Sequence, residues 1–222
     1  MSVLDRLAGA LGRRDEEPNV ALARELAASE DRAGIIMLAD ALANGPRPVR
    51  GDAIKALYEL GALRPDLLRP HAGALLAALD AADNRLVWGA MTGLDSLAAS
   101  YPELIAAHLP AILAAAECGS VIAKDKAVSM LATLAALPGP AAPEAWRRLL
   151  FIVEDAPVNQ VAMYAEAALR GAPMREPDAL AGTVRTRLAG IAQPAKRARL
   201  EKAFRKLARL QAGGAVPPSR SP

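Results

Sequence analysis

The stretch PDLLRPHAGALLAAL, residues 65–79, returns 37 positions later as PELIAAHLPAILAAA, residues 102–116. Proline, an acid, aliphatic residues, histidine and alanine recur in register between the two copies. A fixed period of this length is typical of stacked supersecondary units, none of which can bury its apolar face alone. The echo therefore predicts an array of helical repeats.

The segment before each copy repeats as well. An Ala-x-x-x-Leu-x-x-Leu pattern begins at Ala53, at Ala90 and at Ala127, again at steps of 37. Residues at i, i+4 and i+7 lie on one side of an α-helix, so each pattern gives an apolar stripe whose small residue lets a neighbouring helix approach. Each repeat then supplies one stripe on each of two helices, and we expect stacking to bury both.

Composition sets the class of protein and its compartment. Apolar residues make up 53% of the 222 residues and aromatic residues only 3%, which suits helices rich in alanine and leucine. The single cysteine, Cys118, excludes an internal disulfide framework and fits a reducing compartment. Asp5 and Arg6 interrupt the apolar part that an export signal would need, and no uncharged stretch is long enough to span a bilayer. We expect a soluble, cytoplasmic protein.

The pattern divides the chain into four segments. Residues 1–17 hold an amphipathic capping helix over 3–14, and residues 18–192 hold about five two-helix repeats. Residues 193–211 form a basic capping helix, and residues 212–222 lack periodicity and are predicted to be disordered. The predicted helices of the array lie near 19–29, 31–43, 47–61, 65–80, 84–99, 102–117, 121–137, 143–155, 157–170 and 177–192.

The second repeat begins Pro46-Arg47-Pro48-Val49-Arg50 and continues with Ala53, Ala56 and Leu57. This segment resembles a HEAT repeat, whose first helix typically opens Pro-x-x-Val-Arg, and by period the resemblance extends over residues 19–192. The next two repeats depart from the pattern, with Leu86-Val87 and Ala123-Lys124 in place of Val-Arg. The resemblance implies an all-α, right-handed superhelix of the HEAT and armadillo kind, which presents a curved ridge of second helices. It carries a fold and no catalytic residues.

We therefore predict a non-catalytic scaffold that binds or assembles a protein partner and uses no cofactor. The sequence lacks a Gly-rich phosphate loop, a Gly-x-Ser-x-Gly elbow and any His or Cys cluster with metal spacing. His71 and His108 occupy equivalent repeat positions, separated by one helical layer of ~10 Å, which makes binding of one metal ion by both awkward, and no Cys or acidic pair completes a site. We interpret them as a duplicated polar position at a helix end or turn.

The basic C-terminal end supports an alternative function. The segment 185–209 contains nine basic residues and a single acidic residue, Glu201, although the whole chain has a net charge of only +3. Such a surface is typical of binding to nucleic acid, to an anionic membrane or to an acidic partner, and each role is compatible with a cap on the array. The candidate residues are Arg185, Arg187, Lys196, Arg197, Arg199, Lys202, Arg205, Lys206 and Arg209.

The two tryptophans, Trp88 and Trp146, allow a remote catalytic subcase of that alternative. Alkylpurine DNA glycosylases are built from HEAT-like repeats and use aromatic and acidic residues in a basic groove, and Trp88 precedes Asp95 by two helical turns. The spacing is generic and the aromatic residues are few. Packing in the core or between repeats is therefore the interpretation that we adopt for both tryptophans.

Overall fold

The computed structural model describes residues 2–172 and 175–214, with side chains described as far as residue 210. Within these ranges every regular element is a helix, so the predicted all-α class is confirmed. The chain divides into two compact units, Met1–Ala127 and Val128–Pro222. No helix in the described ranges is long and apolar enough to cross a bilayer.

The first unit begins with a 3-10 turn and contains eight complete helices and the start of a ninth. A second 3-10 turn, Arg69–His71, joins the fourth helix to the fifth. In chain order the elements are the turn Val3–Arg6, α1 (Glu17–Ser29), α2 (Arg32–Asn44), α3 (Arg47–Leu63), α4 (Pro65–Leu68), α5 (Ala72–Ala78), α6 (Asn84–Leu97), α7 (Pro102–Ala107), α8 (Leu109–Cys118) and α9 (Val121–Ala136).

The described part of the second unit contains the rest of α9 and four further helices, and α13 packs on both α11 and α12. These helices are α10 (Ala142–Asp155), α11 (Val161–Ala168), α12 (Pro177–Ala189) and α13 (Pro194–Gly214). The final helix thus runs three residues beyond its predicted end at residue 211. Of the segment predicted to be disordered, 212–222, residues 215–222 lie outside the described residues.

The repeated leucine pattern forms the seam between neighbouring repeats. Helix α3 packs against α1, α2 and α6. Its Ala53, Leu57 and Leu60 are all 0% exposed, and so are the equivalent Ala90, Leu94 and Leu97 of α6. Burial of each leucine contributes roughly 1.5–3 kcal/mol, so the seam predicted from the 37-residue period is the main apolar core of the first unit.

The prediction of single second helices over 65–80 and 102–117 is wrong. In the structure each of these segments is broken at its histidine. His71 has φ −105° and ψ 10°, and His108 has φ −110° and ψ 10°, which is not helical backbone. Proline lacks the N–H of the helical ladder and clashes with the carbonyl four residues earlier. Pro70 and Pro110 lie within two residues of these breaks, so the second and third repeats each consist of three helices rather than two.

The predicted N-terminal helix over 3–14 is also wrong, since only Val3–Arg6 is helical. The N–H of Ala8 donates to Oδ1 of Asn19 at 2.9 Å, and the N–H of Gly9 donates to Oδ2 of Asp52 at 2.8 Å. Gly12 has φ +67°, a left-handed conformation that glycine tolerates. Side chains of α1 and α3 thus take the amides that a continuing helix would have used.

Close approach of α3 and α6 depends on Gly89. A Cβ on Gly89 would lie 2.6 Å from Cγ1 of Ile54, whereas a Cβ on Gly182 in α12 would meet nothing within 4 Å. We expect Gly89→Ala to lower the free energy of unfolding by about 1 kcal/mol, because overpacking outweighs the gain in helix propensity. Gly182→Ala should raise it by up to about 1 kcal/mol. Urea denaturation measures both, and equal signs for the two variants would contradict this packing.

Candidate functional site

The outward side of α3 and α6, opposite the leucine seam, carries the most distinctive side chains of the first unit. The period places Lys55 level with Thr92 and Tyr58 level with Asp95, and all four are half-buried. Together with neighbouring charged groups they form a surface that we call the first-unit ridge. Its members are Glu16, Lys55, Tyr58, Glu59, Arg85, Trp88, Thr92, Asp95 and Lys126.

Two aromatic rings lie at the centre of the ridge. The ring centroids of Tyr58 and Trp88 are 5.8 Å apart, with an interplanar angle of 52°. Such a pair contributes about 0.5–1.5 kcal/mol beyond its area burial. Nζ of Lys55 lies 4.8 Å from the Tyr58 centroid, which is within the range of a cation–π contact. The aromatic pair thus joins two repeats, as packing between repeats requires, and still keeps part of each ring accessible to solvent.

Ion pairs hold the charged groups around these rings in fixed positions. Glu16 contacts Nζ of Lys55 at 3.2 Å and the guanidinium of Arg85 at 2.7 Å. Lys55 also contacts Glu59 at 2.8 Å. Partly exposed pairs of this kind contribute at most about 1 kcal/mol each to stability, so their main effect is positional.

The protonation states on the ridge follow from these contacts. Burial lowers the pKa of Lys55, but hydrogen bonds with Glu59, Tyr58 and Glu16 outweigh it and raise that pKa above its ordinary value. Burial also raises the pKa of Tyr58, against the opposing effect of Lys55. Lys55 is therefore charged and Tyr58 neutral at physiological pH.

The other end of the ridge is closed by Asp95, whose Oδ2 lies 3.1 Å from Nζ of Lys126 on α9. The catalytic subcase would need this carboxylate next to an aromatic pocket. The structure instead places Asp95 in an ion pair, one repeat away from Tyr58. Trp88 lies seven residues earlier on the same helix, against Tyr58.

A buried polar pair behind the ridge has no counterpart in the sequence predictions. Asn19 is 0% and Asp52 is 8% exposed, and Nδ2 of Asn19 donates to Oδ1 of Asp52 at 2.9 Å. Their remaining oxygens accept the amides of Ala8 and Gly9. This network fixes the N-terminal segment to α1 and α3, and so places Glu16 at the ridge.

The sequence resemblance pointed to the second helices as the presenting ridge. In the second and third repeats these helices expose mainly small side chains. Their exposed positions include Gly73 and Ala77 on α5 and Ala111 and Ala114 on α8. Residues that contribute most to recognition are large, with tryptophan, tyrosine and arginine enriched. The first helices, with Tyr58 and Trp88, therefore offer the stronger candidate surface.

The histidines lie at the two helix breaks described above, as a duplicated polar position would. Nδ1 of His108 is 2.9 Å from the carbonyl oxygen of Leu104. Burial lowers the pKa of His71. Among the described residues no three His, Cys, Asp or Glu side chains lie close enough together to hold a metal ion.

In the second unit, Trp146 is only 4% exposed, in agreement with its predicted packing role. It lines an open groove of about 590 Å³ with Arg147, Leu150 and Arg175. Nε of Arg175 donates to the carbonyl oxygen of Ala135 at 3.0 Å, so this arginine caps the end of α9. Arg147 pairs with Glu144, so both arginines of the groove have structural partners. The buried Nε1 of Trp146 has no hydrogen-bond partner among the described residues.

Two of the nine basic residues predicted to bind an anion serve contacts inside the second unit. The guanidinium of Arg187 donates to the carbonyl oxygen of Ala156 at the end of α10. The guanidinium of Arg185 lies 5.7 Å from the centroid of the Phe204 ring on α13. Both arginines therefore connect α12 to its neighbours.

Three more basic residues lie on the sides of α13. Arg199 binds Glu166 of α11 through two bonds, at 2.8 and 3.3 Å, and Arg197 pairs with Glu201 at 3.1 Å. Lys196 is half-buried. The other four are exposed and lie together on α13, as spacings of three and four residues place them. These four are Lys202, Arg205, Lys206 and Arg209.

Comparison with known proteins shows the fold and leaves the family open. No family model matches the sequence, and a search of curated proteins gives no significant match. A designed armadillo repeat protein, YIII(Dq)4CqI, is 17% identical, with a TM-score of 0.59 over 92% of this chain and 98% of that chain. An engineered protein is 18% identical, with a TM-score of 0.60 over 96% and 98%.

A third solved structure is that of computationally designed armadillo repeat proteins for modular peptide recognition. It is 17% identical, with a TM-score of 0.60 over 91% of this chain and 97% of that chain. These similarities show that the chain has an armadillo-like helical-repeat fold.

Proposed function

We propose that this chain is a non-catalytic scaffold that binds a protein partner through the first-unit ridge. The observation that carries the proposal is the Tyr58–Trp88 pair, in which two large rings on the sequence-equivalent sides of α3 and α6 are only half-buried. Tryptophan and tyrosine are enriched among the residues that dominate protein–protein binding energy. The surrounding charges are already in ion pairs, so the accessible parts of the two rings are what this surface offers to a partner.

The proposed mechanism is rigid presentation of these rings. The two rings already pack against each other, so little side-chain entropy is lost when a partner binds. Neighbouring packed helices are about 8–10 Å apart, which three residues of an extended peptide span. An extended segment that crosses from α3 to α6 can therefore contact Tyr58 and Trp88 in turn. The peptide-recognition purpose of one of the similar designed proteins supports this choice of occupant.

The proposal includes two finer assignments. We assign the repeats to the HEAT type on the residues Pro46–Arg50 and the apolar positions that follow them. We place the protein in the cytoplasm, which the exposed free thiol of Cys118 supports.

The test is replacement of Trp88 by alanine. A protein partner is captured by affinity purification from the source cell, and its dissociation constant is measured by calorimetry. We expect Trp88→Ala to weaken binding by about 30-fold or more, because truncation of a central aromatic residue costs about 2 kcal/mol or more.

Phe151→Ala supplies the matched control. Phe151 is 70% exposed on α10 and is not part of the first-unit ridge. Its replacement should leave the dissociation constant within about twofold of the wild-type value, since isolated exposed apolar residues need no functional explanation. Equal losses for both variants, or no loss for Trp88→Ala, would refute the ridge as the contact surface.

A further inference from the structure

The four exposed basic residues of α13 form one stripe, which we call the α13 basic stripe: Lys202, Arg205, Lys206 and Arg209. Leu200, Ala203 and Leu207, on the opposite side of the helix, are at most 1% exposed. Among the described residues no carboxylate oxygen lies within 4 Å of a charged nitrogen of the stripe. The stripe is thus a set of four cations whose charge the second unit leaves largely unneutralised.

The carboxylate of Glu166 lies at the edge of this stripe and indicates that carboxylates are the chemical group that the stripe can bind. Glu166 of α11 is held by two hydrogen bonds from Arg199, at 2.8 and 3.3 Å. These bonds lower the pKa of Glu166, and the charges of Lys206 and Lys202 add to the effect. A single carboxylate therefore faces three cations, and a planar carboxylate is the group that the guanidinium fork already binds.

We propose that the α13 basic stripe, together with Arg199, is a docking site for an acidic protein segment, and that Glu166 competes internally with the carboxylates of that segment. The surface lies in the second unit and does not depend on the first-unit ridge. An incoming row of carboxylates would neutralise all four cations of the stripe. Glu166 neutralises none of them within ion-pair distance.

The chemistry of α13 favours an acidic protein segment over nucleic acid and over a membrane. Phe204, half-buried, is the one aromatic residue of α13, and the guanidinium of Arg185 lies near its ring, so no free ring is available to stack on bases. Membrane-bound amphipathic helices insert an apolar face, whereas the apolar side of α13 is buried within the protein.

The test uses the full chain and a fluorescein-labelled peptide of alternating Glu and Ala, in fluorescence polarisation at 50 mM salt. We expect binding that weakens by about tenfold or more in Lys202→Glu/Lys206→Glu, since two attractive charges become repulsive. Glu166→Gln should tighten binding by about threefold, because Arg199 then becomes available to the peptide. The matched control is Arg32→Glu/Lys124→Glu, which alters the net charge equally at two exposed positions outside the second unit and should leave the affinity nearly unchanged.

Several results would overturn the proposal. One is absence of peptide binding at 50 mM salt, and another is an equal effect of the two charge-reversing doubles. Unchanged or weaker binding in Glu166→Gln would exclude its role as an internal competitor. Tighter binding of a single-stranded DNA 12-mer or of phosphatidylserine vesicles, with the same dependence on Lys202 and Lys206, would replace the acidic segment by nucleic acid or membrane. Trp88→Ala should leave peptide binding intact, so failure of this site and failure of the ridge are distinguishable.

Discussion

Replacement of Leu94 by alanine is expected to lower the free energy of unfolding by about 2–5 kcal/mol. Leu94 is 0% exposed on α6, in the seam that joins successive repeats. Loss of its side chain removes apolar burial and leaves a cavity that the flanking helices close only in part. Stability of a helical-repeat protein depends on such interfaces between neighbours, so the whole first unit should respond.

Urea denaturation followed by circular dichroism measures this effect. The matched control is Leu63→Ala at the end of α3, where the leucine is 51% exposed and truncation should cost less than about 0.5 kcal/mol. If Leu94→Ala were as stable as Leu63→Ala, the seam would not be the source of stability that the repeat pattern indicates.

The second large effect is expected for Asp52→Ala, with a loss of about 2–5 kcal/mol. Asp52 accepts hydrogen bonds from the amide of Gly9 and from Nδ2 of Asn19, and its removal strands both donors. Each unsatisfied buried donor costs about 1–3 kcal/mol. The backbone at Gly9 should then detach from α3, because Asp52 is the partner of its amide among the described residues, whereas Ala8 keeps its bond to Asn19.

Hydrogen exchange at the amide of Gly9 reports this detachment directly. Asp52→Asn keeps one acceptor oxygen, so it loses one hydrogen bond where Asp52→Ala loses two. Its loss of stability should therefore be roughly half that of Asp52→Ala. Unchanged protection of the Gly9 amide in Asp52→Ala would contradict the network.

The repeat fold could be predicted from the sequence because its cause is local. Each repeat buries the same positions, so Leu57 and Leu94 can be recognised as core residues from the 37-residue period alone. The contacts between helices need not be known. The helix breaks could not be predicted in the same way, since a proline at residue 70 or 110 is compatible with either a kink or a break in the helix. No sequence signal marks the buried pair of Asn19 and Asp52, because their hydrogen-bond partners are 11 to 43 positions away.

The ridge could not be assembled from the period either. Tyr58 is equivalent to Asp95, and Trp88 is not equivalent to any aromatic residue, so no sequence offset pairs the two rings. Their contact depends on how α3 lies on α6. For the basic end, counting charges along the sequence places most of the cations on the segment that forms α13. It could not separate Arg199, which binds Glu166, from Lys202 and its exposed neighbours.

The two indole N–H signals in an NMR spectrum of the chain report directly whether a protein partner binds at the first-unit ridge. One belongs to Trp88 on the ridge and the other to the buried Trp146 of the second unit, and Trp88→Phe assigns them. We predict that addition of the captured protein partner shifts or broadens the Trp88 signal and leaves that of Trp146 in place. A shift of Trp146 alone, or no change in either signal on binding, would contradict the account.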